Sequence, residues 1–251
     1  MSRHRLETKL RPVAEAYGLK LRLVRPCPSF YNDNAAFHAS TNRGSLLIKP
    51  FLGSREKLIH IAANLEQLYG SGFRHMPVWL KSRSGKRWTR IDRQLYYVSE
   101  WIDGIKLDEL SDPVRQTAAF RLLGRVMAEL HRQARNGPSA TTSCILQDIR
   151  TFRGKHRIFT RDRVIAEKLG TSEAAWFKSE GKLCQELADK AFRSLRKPDV
   201  ARKLREERPC FIHGDITLPN IIWNDERLYL IDWDRARGER CIGQCIRDLV
   251  I

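Results

Sequence analysis

The sequence predicts an α+β chain in two parts. We expect a smaller N-terminal part, over residues 1–102, with an antiparallel sheet and one inserted helix, and a larger, mainly helical C-terminal part over 103–251. Short alternations of apolar and polar residues are concentrated before residue 102, as in half-buried strands. Apolar residues spaced three and four apart dominate the long segments after it, as in amphipathic helices.

The elements of the N-terminal part follow from these periods. A helix is expected from about Leu6 to Tyr17, with Gly18 as its stop. A second helix is expected from Ser54, a good N-cap residue, to Gly70. The expected strands are 20–25, two short strands on either side of the turn at 41–44, and then 76–81, 87–91 and 95–100.

The C-terminal part begins with a clear helix signal. Asp112 precedes Pro113, an N-cap acid before a proline that suits the first helical position. Apolar residues then recur every four positions, which predicts a core helix. The segment 139–163 is basic and poorly periodic, and a further helix is expected from about Ser172, with Leu183 and Leu187 in its apolar register.

The chain is strongly basic. Its 251 residues include 46 Lys and Arg against 29 Asp and Glu, a formal net charge of +17. Such a charge favours anionic ligands without identifying a fold. The basic residues are scattered, with no basic motif interleaved with aromatic residues, so a nucleic-acid partner is not expected. Were nucleic acid bound, the affinity would fall steeply with salt.

Cysteine usage and the N-terminus predict an intracellular, soluble protein. The six cysteines are scattered without a Cys-x-x-Cys pair, which argues against a disulfide scaffold or a zinc site. The first residues lack an apolar signal region, and no run approaches the ~20 apolar residues of a membrane span. We therefore expect free thiols, a cytoplasmic location and no membrane partner.

The segment 211–234 carries the chemistry. Two apolar runs flank a polar turn at 224–227, the pattern of a β-hairpin. Asn220 would enter this hairpin, Asp232 would leave it, and Asp215 would reach the same end from the preceding loop. Carboxylate and amide oxygens gathered in this way suit Mg²⁺ bound together with substrate phosphates. A single Asp here would ordinarily be a turn cap, but the ordered set of three indicates a phosphoryl-transfer site.

The motif resembles a known family. HGDITLPN followed by LIDWD is similar to the core of the aminoglycoside phosphotransferase and choline kinase family, which has a bilobal protein-kinase-like fold. HGDITLPNIIW with IDWD most resembles its spore-coat-associated branch. The resemblance implies ATP and Mg²⁺ as cofactors, a small-molecule hydroxyl as acceptor, a nucleotide-binding lobe over 1–102 and a catalytic lobe over 103–251.

The resemblance also implies residue roles. Asp215 and His213 would be the catalytic residues, with Asp215 as the base, and Asn220 and Asp232 would be the metal ligands. Three further features would bind the nucleotide. Lys49 would pair with a glutamate on the next helix, for which Glu66 is the candidate and Glu56 the alternative. A hinge would offer the Ser99 carbonyl and the Trp101 amide to adenine, and a loop near residues 29–34 would cover the phosphates. Asp248 resembles the acid that braces the catalytic loop.

Two departures keep a second hypothesis open. The segment 29–34 has no glycine-rich pattern, and the family continues for several helices after the Asp-Leu pair, so the C-terminal lobe looks truncated. A kinase-like structural protein without turnover, for example a spore-coat component with protein partners, is the alternative to an enzyme.

Overall fold

An antiparallel sheet forms the N-terminal part. The structure, a computed structural model, describes residues 3–27, 36–134, 145–166, 168–169, 171–200, 202, 209–224 and 227–240. The N-terminal elements are α1 (Arg3–Ala16), β1 (Leu21–Pro26), β2 (Phe37–Thr41), β3 (Gly44–Phe51), α2 (Arg55–Gly70), β4 (Thr89–Ile91) and β5 (Gln94–Glu100). The five strands lie in the order β1-β2-β3-β5-β4, and each neighbouring pair is antiparallel.

Helices and short strand pairs form the C-terminal part. Its elements are β6 (Ile105–Lys106), α3 (Pro113–Ala134), α4 (Ile145–Ala166), α5 (Ser172–Leu195), β7 (Pro209–Ile212), β8 (Ile221–Trp223), β9 (Leu228–Leu230) and β10 (Arg237–Arg240). Strand β6 pairs with β8, which pairs with β9, and β7 pairs with β10. This confirms the expected α+β architecture, an antiparallel sheet region followed by a helical region.

The helix starts that the sequence predicts are present. The Ser54 hydroxyl accepts a hydrogen bond from the Lys57 amide at 3.2 Å, which caps α2. The Asp112 carboxylate accepts from the amides of Val114 and Arg115, at 2.8 and 2.9 Å, and caps α3 in the same way. Each cap satisfies amides that a helix leaves without an internal partner, so these two boundaries follow from local chemistry.

Two apolar cores position the elements. One lies between α1 and the sheet, with Leu10, Val13 and Ile48 almost fully buried. The other joins α2 to α3 and to the β8–β9 hairpin. Helix α2 therefore packs against both parts of the molecule and links the sheet to the hairpin.

One predicted strand is absent, and two helices show features that the sequence pattern did not indicate. Residues 76–81 do not form a strand; within them Trp79 makes an isolated bridge to Ser99, and Pro77 has no amide to donate to a ladder. No element was predicted for the poorly periodic segment 139–163, yet its described residues from Ile145 onward belong to α4. In α5, Leu183 and Leu187 of the predicted apolar register are more than half exposed.

Helix α4 packs mainly on α5, and the two form a helical hairpin. None of the described helices combines the length and the apolar character that a membrane span needs.

Candidate active site

The β8–β9 hairpin forms as the sequence predicts. Ile221 lies opposite Leu230 and Trp223 lies opposite Leu228. The Asn224 amide donates to the Arg227 carbonyl at 3.2 Å across the turn, and the Ile231 amide donates to the Asn220 carbonyl at 2.9 Å at the other end. Asn220 and the residue before Asp232 are therefore joined at one end of the hairpin.

Asp215 reaches the same end from the loop after β7. The Asn220 side-chain amide donates to the Asp215 main-chain carbonyl at 3.1 Å and to its Oδ2 at 3.2 Å. The guanidinium of Arg235 lies 3.7 Å from the same Oδ2. Because the amide nitrogen of Asn220 is used to hold Asp215, its amide oxygen is the atom of that side chain that can bind a cation.

His213 holds this loop from inside. It is fully buried, its Nδ1 accepts from the Asp215 amide at 3.3 Å, and its Nε2 lies 2.9 Å from the Ile231 carbonyl. A carbonyl only accepts, so Nε2 carries the proton and donates. The sequence had suggested His213 as catalytic; the contacts instead tie its ring to the backbone on both sides of the site.

Lys49 meets Asp232 across the two parts of the molecule. Its Nζ lies 2.6 Å from Asp232 Oδ1 and 3.1 Å from Asp234 Oδ2, although Lys49 is on β3 and the acids follow β9. Asp232 adopts a left-handed backbone conformation, with φ 63° and ψ 63°, which is uncommon outside glycine and indicates a constrained position. The structure therefore brings Lys49 to the hairpin end that carries Asn220.

Electrostatics at this contact favour the ion pair. Burial alone would lower the pKa of the Lys49 ammonium, but the carboxylates of Asp234 and Asp232 outweigh it and raise that pKa. Burial raises the pKa of Asp234, and Lys49 opposes this effect. The hydroxyl of Tyr97 donates to Asp234 Oδ1 at 2.9 Å. Burial, followed by the charge of Asp234, raises the pKa of Tyr97 well above its ordinary value, so its hydroxyl keeps its proton.

Glu66 is not brought to Lys49. Its Oε1 instead lies 3.0 Å from Arg87 Nη2 and 2.9 Å from Lys81 Nζ. These two cations lower the pKa of Glu66 through hydrogen bonds. The alternative, Glu56, remains at the start of α2, where its own backbone amide and the Ser54 hydroxyl lower its pKa. The expected lysine–glutamate pair is therefore corrected: the carboxylates beside Lys49 in the described structure are Asp232 and Asp234.

The residues predicted to form the hinge lie where the chain leaves the sheet at the end of β5. Ser99 is fully buried, opposite Leu47 of β3. The Glu100 amide donates to the Val78 carbonyl at 3.0 Å. The ring of Trp101 packs against His38 with centroids 4.3 Å apart, and its Nε1 donates to Asp103 at 2.9 Å. Two other predictions, the phosphate-covering loop at 29–34 and the bracing acid Asp248, lie outside the described residues.

Sequence reasoning missed the role of Asp234 and of Tyr97. The signal for Asp234 was present, since it stands two residues after Asp232 in the same motif. Tyr97 could not be found in this way, because nothing in a strand of apolar residues marks one tyrosine as facing the site. Trp233 between the two acids is a core residue: it is buried, and its Nε1 donates to the Leu230 carbonyl at 2.8 Å.

The donor set fits a magnesium ion shared with a ligand. Within the described ranges, no three His, Cys, Asp or Glu side chains are grouped as a complete metal cage. Magnesium in phosphate-binding sites is usually held by one or two protein oxygens together with substrate phosphates and waters. The Asp232 carboxylate, 38% exposed, and the Asn220 amide oxygen are ligands of that kind.

A family model for the phosphotransferase enzyme family matches residues 25–238. This chain belongs to that family. A comparison with curated proteins found no significant match. Similar solved structures include an aminoglycoside phosphotransferase from Alicyclobacillus acidocaldarius, with 17% identity, a TM-score of 0.69, and coverage of 91% of this chain and 66% of that one.

Two further structures share the fold of this family member. Spectinomycin phosphotransferase APH(9)-Ia, solved with ADP and spectinomycin, has 17% identity and a TM-score of 0.62 over 96% of this chain and 71% of that one. Choline kinase LicA from Streptococcus pneumoniae has 18% identity and a TM-score of 0.50 over 99% and 74%. The chain thus spans slightly less than two thirds of the first of these structures, and identities this low show the fold alone.

Proposed function

We propose that this family member is an ATP-dependent phosphotransferase that moves the γ-phosphoryl group to a hydroxyl of a small molecule. The observation that carries the proposal is the hairpin end where Asn220 holds Asp215 and where Lys49 of the sheet meets Asp232. A base, hard-oxygen ligands and a phosphate-binding cation in one place are the parts that phosphoryl transfer needs.

Each residue then has a task. Asp215 accepts the proton of the acceptor hydroxyl, and Asn220 orients its carboxylate through the 3.2 Å hydrogen bond. Asp232 and Asn220 would hold Mg²⁺, which supplies neutralisation of the phosphate charge. Lys49 binds the nucleotide phosphates as a cation. His213 positions the Asp215 loop rather than acting on substrate.

The nucleotide would lie between the two parts of the chain. We place the nucleotide-binding lobe at 1–102 and the catalytic lobe at 103–251, with the Ser99 carbonyl and the Trp101 amide as the groups that bind adenine. Support comes from the position of these residues at the end of β5, the strand that carries Tyr97 to Asp234. ATP is the expected donor, since the related APH(9)-Ia was solved with ADP.

The acceptor is proposed as a class. Spectinomycin is bound in one structure of this fold, and another such structure is a choline kinase, so an amino-alcohol or aminoglycoside hydroxyl is the class to test first. Function lies in the variable part of the site rather than in the fold.

A matched pair of variants tests the proposal. Asp215→Ala should abolish ATP-dependent phosphorylation while leaving the unfolding temperature close to wild type, since Asp215 lies in a loop rather than a core. Asp232→Ala should remove the Mg²⁺-dependent part of nucleotide binding measured by calorimetry. Asp108→Ala, at an exposed position in the 3₁₀ turn Leu107–Glu109, is the control and should change neither quantity. If wild-type protein binds no Mg·ATP at millimolar concentration, the proposal fails.

The finer resemblance to the spore-coat-associated branch favours a second candidate, a kinase-like coat or scaffold protein without turnover. It is supported by the HGDITLPNIIW motif and by the lack of a glycine-rich pattern at 29–34. ATP hydrolysis that disappears in Asp215→Ala would decide for the enzyme. Nucleotide binding with no hydrolysis and no transfer to any acceptor would decide for the scaffold.

A further inference from the structure

Lys49 and Tyr97 form a clamp on one carboxylate. The two residues lie directly opposite each other on β3 and β5, so their side chains leave the same face of the sheet. Tyr97 donates to Asp234 Oδ1 at 2.9 Å, and Lys49 lies 3.1 Å from Asp234 Oδ2. Each oxygen of Asp234 is therefore held by a different strand of the N-terminal sheet.

The clamp is rigid on the tyrosine side. Tyr97 is almost fully buried, and its ring stacks on Trp79 with centroids 3.9 Å apart and planes 9° from parallel. A stacked, buried ring has little freedom to move its hydroxyl. The Asp234 carboxylate thus has a fixed direction, set by the Tyr97 hydroxyl.

Glu66, the glutamate that the family resemblance suggests as the partner of Lys49, makes other contacts. Glu66 of α2 is bound by Arg87 and Lys81, and both of those contacts lie away from Lys49. Asp232, the other acid beside Lys49, is one of the two ligands proposed for Mg²⁺. If Asp232 held Mg²⁺, repulsion between the cation and the Lys49 ammonium would disfavour the Lys49–Asp232 contact. Asp234 would then be the carboxylate that holds the ammonium group.

We propose that Asp234, oriented by Tyr97, is the positioning residue that aims Lys49 at the nucleotide phosphates, in place of a glutamate on α2. The inference rests on the proposed function, because it assumes that Lys49 binds those phosphates. Asp234 acts through Lys49 and does not contact the nucleotide. The rival assignment is that Asp234 is a further metal ligand, and the two assignments differ in how they depend on Mg²⁺.

The test is the affinity for ADP, measured by titration calorimetry once with Mg²⁺ and once with EDTA. Asp234→Asn keeps the shape and still accepts from Tyr97, but it loses the charge that holds Lys49. We expect its ADP affinity to fall about tenfold with Mg²⁺, the effect of one charge-assisted hydrogen bond, and by a smaller but measurable factor in EDTA, where Asp232 still contacts Lys49. Tyr97→Phe keeps the stacked ring and loses only the hydroxyl, so we expect a smaller loss in both buffers. Glu66→Gln is the matched control and should bind as wild type.

The outcomes separate the assignments. A loss confined to the Mg²⁺ buffer would make Asp234 a metal ligand and overturn the inference. A loss in Glu66→Gln as large as in Asp234→Asn would return the role to α2 and also overturn it, as would unchanged affinity in both clamp variants. Thermal unfolding of each variant excludes a folding defect, and Tyr97→Phe carries the test if Asp234→Asn does not fold. Wild-type protein that binds no ADP in either buffer defeats the proposed function itself, before any variant is compared.

Discussion

Gly214 fixes the path of the loop that carries Asp215. Its φ is +79°, and a Cβ built there would lie 2.7 Å from the Arg235 carbonyl oxygen. A side chain would therefore meet both an unfavourable backbone conformation and main-chain atoms that cannot turn aside. This geometry explains why the loop has glycine at position 214.

Gly214→Ala should lower the free energy of unfolding by about 1–3 kcal/mol, the range for a strained backbone position. Urea denaturation measures this change. Gly72→Ala is the control, because Gly72 has a φ of +100° but nothing within 4 Å of an added Cβ. The Gly72→Ala variant therefore has the unfavourable backbone conformation but no steric clash of the added Cβ. An equal loss in the two variants would show that the contact with Arg235 contributes nothing.

At the residue scale, prediction from sequence succeeded where order along the chain determines place. Asn220 and Asp232 flank a hairpin, so they had to lie at one end of it, and the structure joins Asn220 to Asp215 as well. It failed for Glu66. A helix carries acids on several faces, and which face meets β3 depends on how α2 packs in the core that it shares with α3 and the hairpin, which no local pattern records.

Tyr17 closes the end of α1 against the sheet. It follows the last residue of the helix, its amide donates to the Ala14 carbonyl at 3.0 Å, and its side chain is buried. Burial raises the pKa of Tyr17, and the nearby backbone of Val98 offsets part of this effect, although the hydroxyl has no hydrogen-bond partner among the described residues. The folded state thus keeps the phenol neutral over a pH range where the unfolded chain ionises it.

This difference in ionisation between the folded and unfolded states sets the direction in which stability changes with pH. An unfolded tyrosine ionises near pH 10, so the unfolded state binds fewer protons above that pH and the free energy of unfolding falls as pH rises. Tyr17→Phe should make this fall shallower, by up to about 1.4 kcal/mol per pH unit. Urea denaturation between about pH 8 and about pH 11 measures it, with the exposed Tyr69→Phe as control. A pH dependence that is unchanged in Tyr17→Phe would contradict the assignment.

At the element scale, caps and periods identified α1, α2, α3 and the hairpin, because these signals act within a few residues. The differences between prediction and structure arise from tertiary packing. Residues 76–81 look like a strand, but Pro77 cannot pair and Trp79 is held by stacking on Tyr97. Helix α4 shows little apolar period because it packs mainly on α5 and leaves side chains such as Phe152 and Ile158 exposed.

The whole molecule carries a net charge of +17, and self-repulsion of this size destabilises a compact state. We expect the unfolding temperature to rise between about 0.05 and about 0.5 M NaCl, because salt screens surface repulsion over this range. The buried Lys49 contacts are screened less and should persist. Differential scanning calorimetry with KCl in parallel checks that the effect is one of ionic strength. A fall in unfolding temperature would show that attractive surface pairs outweigh the repulsion.

The fold at this scale was predicted in outline, since a sheet with one inserted helix followed by a helical part admits few arrangements. The contact between the sheet and the hairpin end at the site could not be predicted from the spacing of residues along the chain. It depends on Lys49 of the sheet and Asp232 after the hairpin, 183 positions apart in the chain, coming into contact.

The stack of Trp79 on Tyr97 has a practical consequence. An indole that lies 3.9 Å from a phenol, whose hydroxyl in turn holds Asp234, is a built-in optical probe of the site. Any rearrangement of that carboxylate changes the surroundings of the indole, so the part of the intrinsic emission that is lost in Trp79→Phe would follow nucleotide arrival in real time without a dye or a coupled assay.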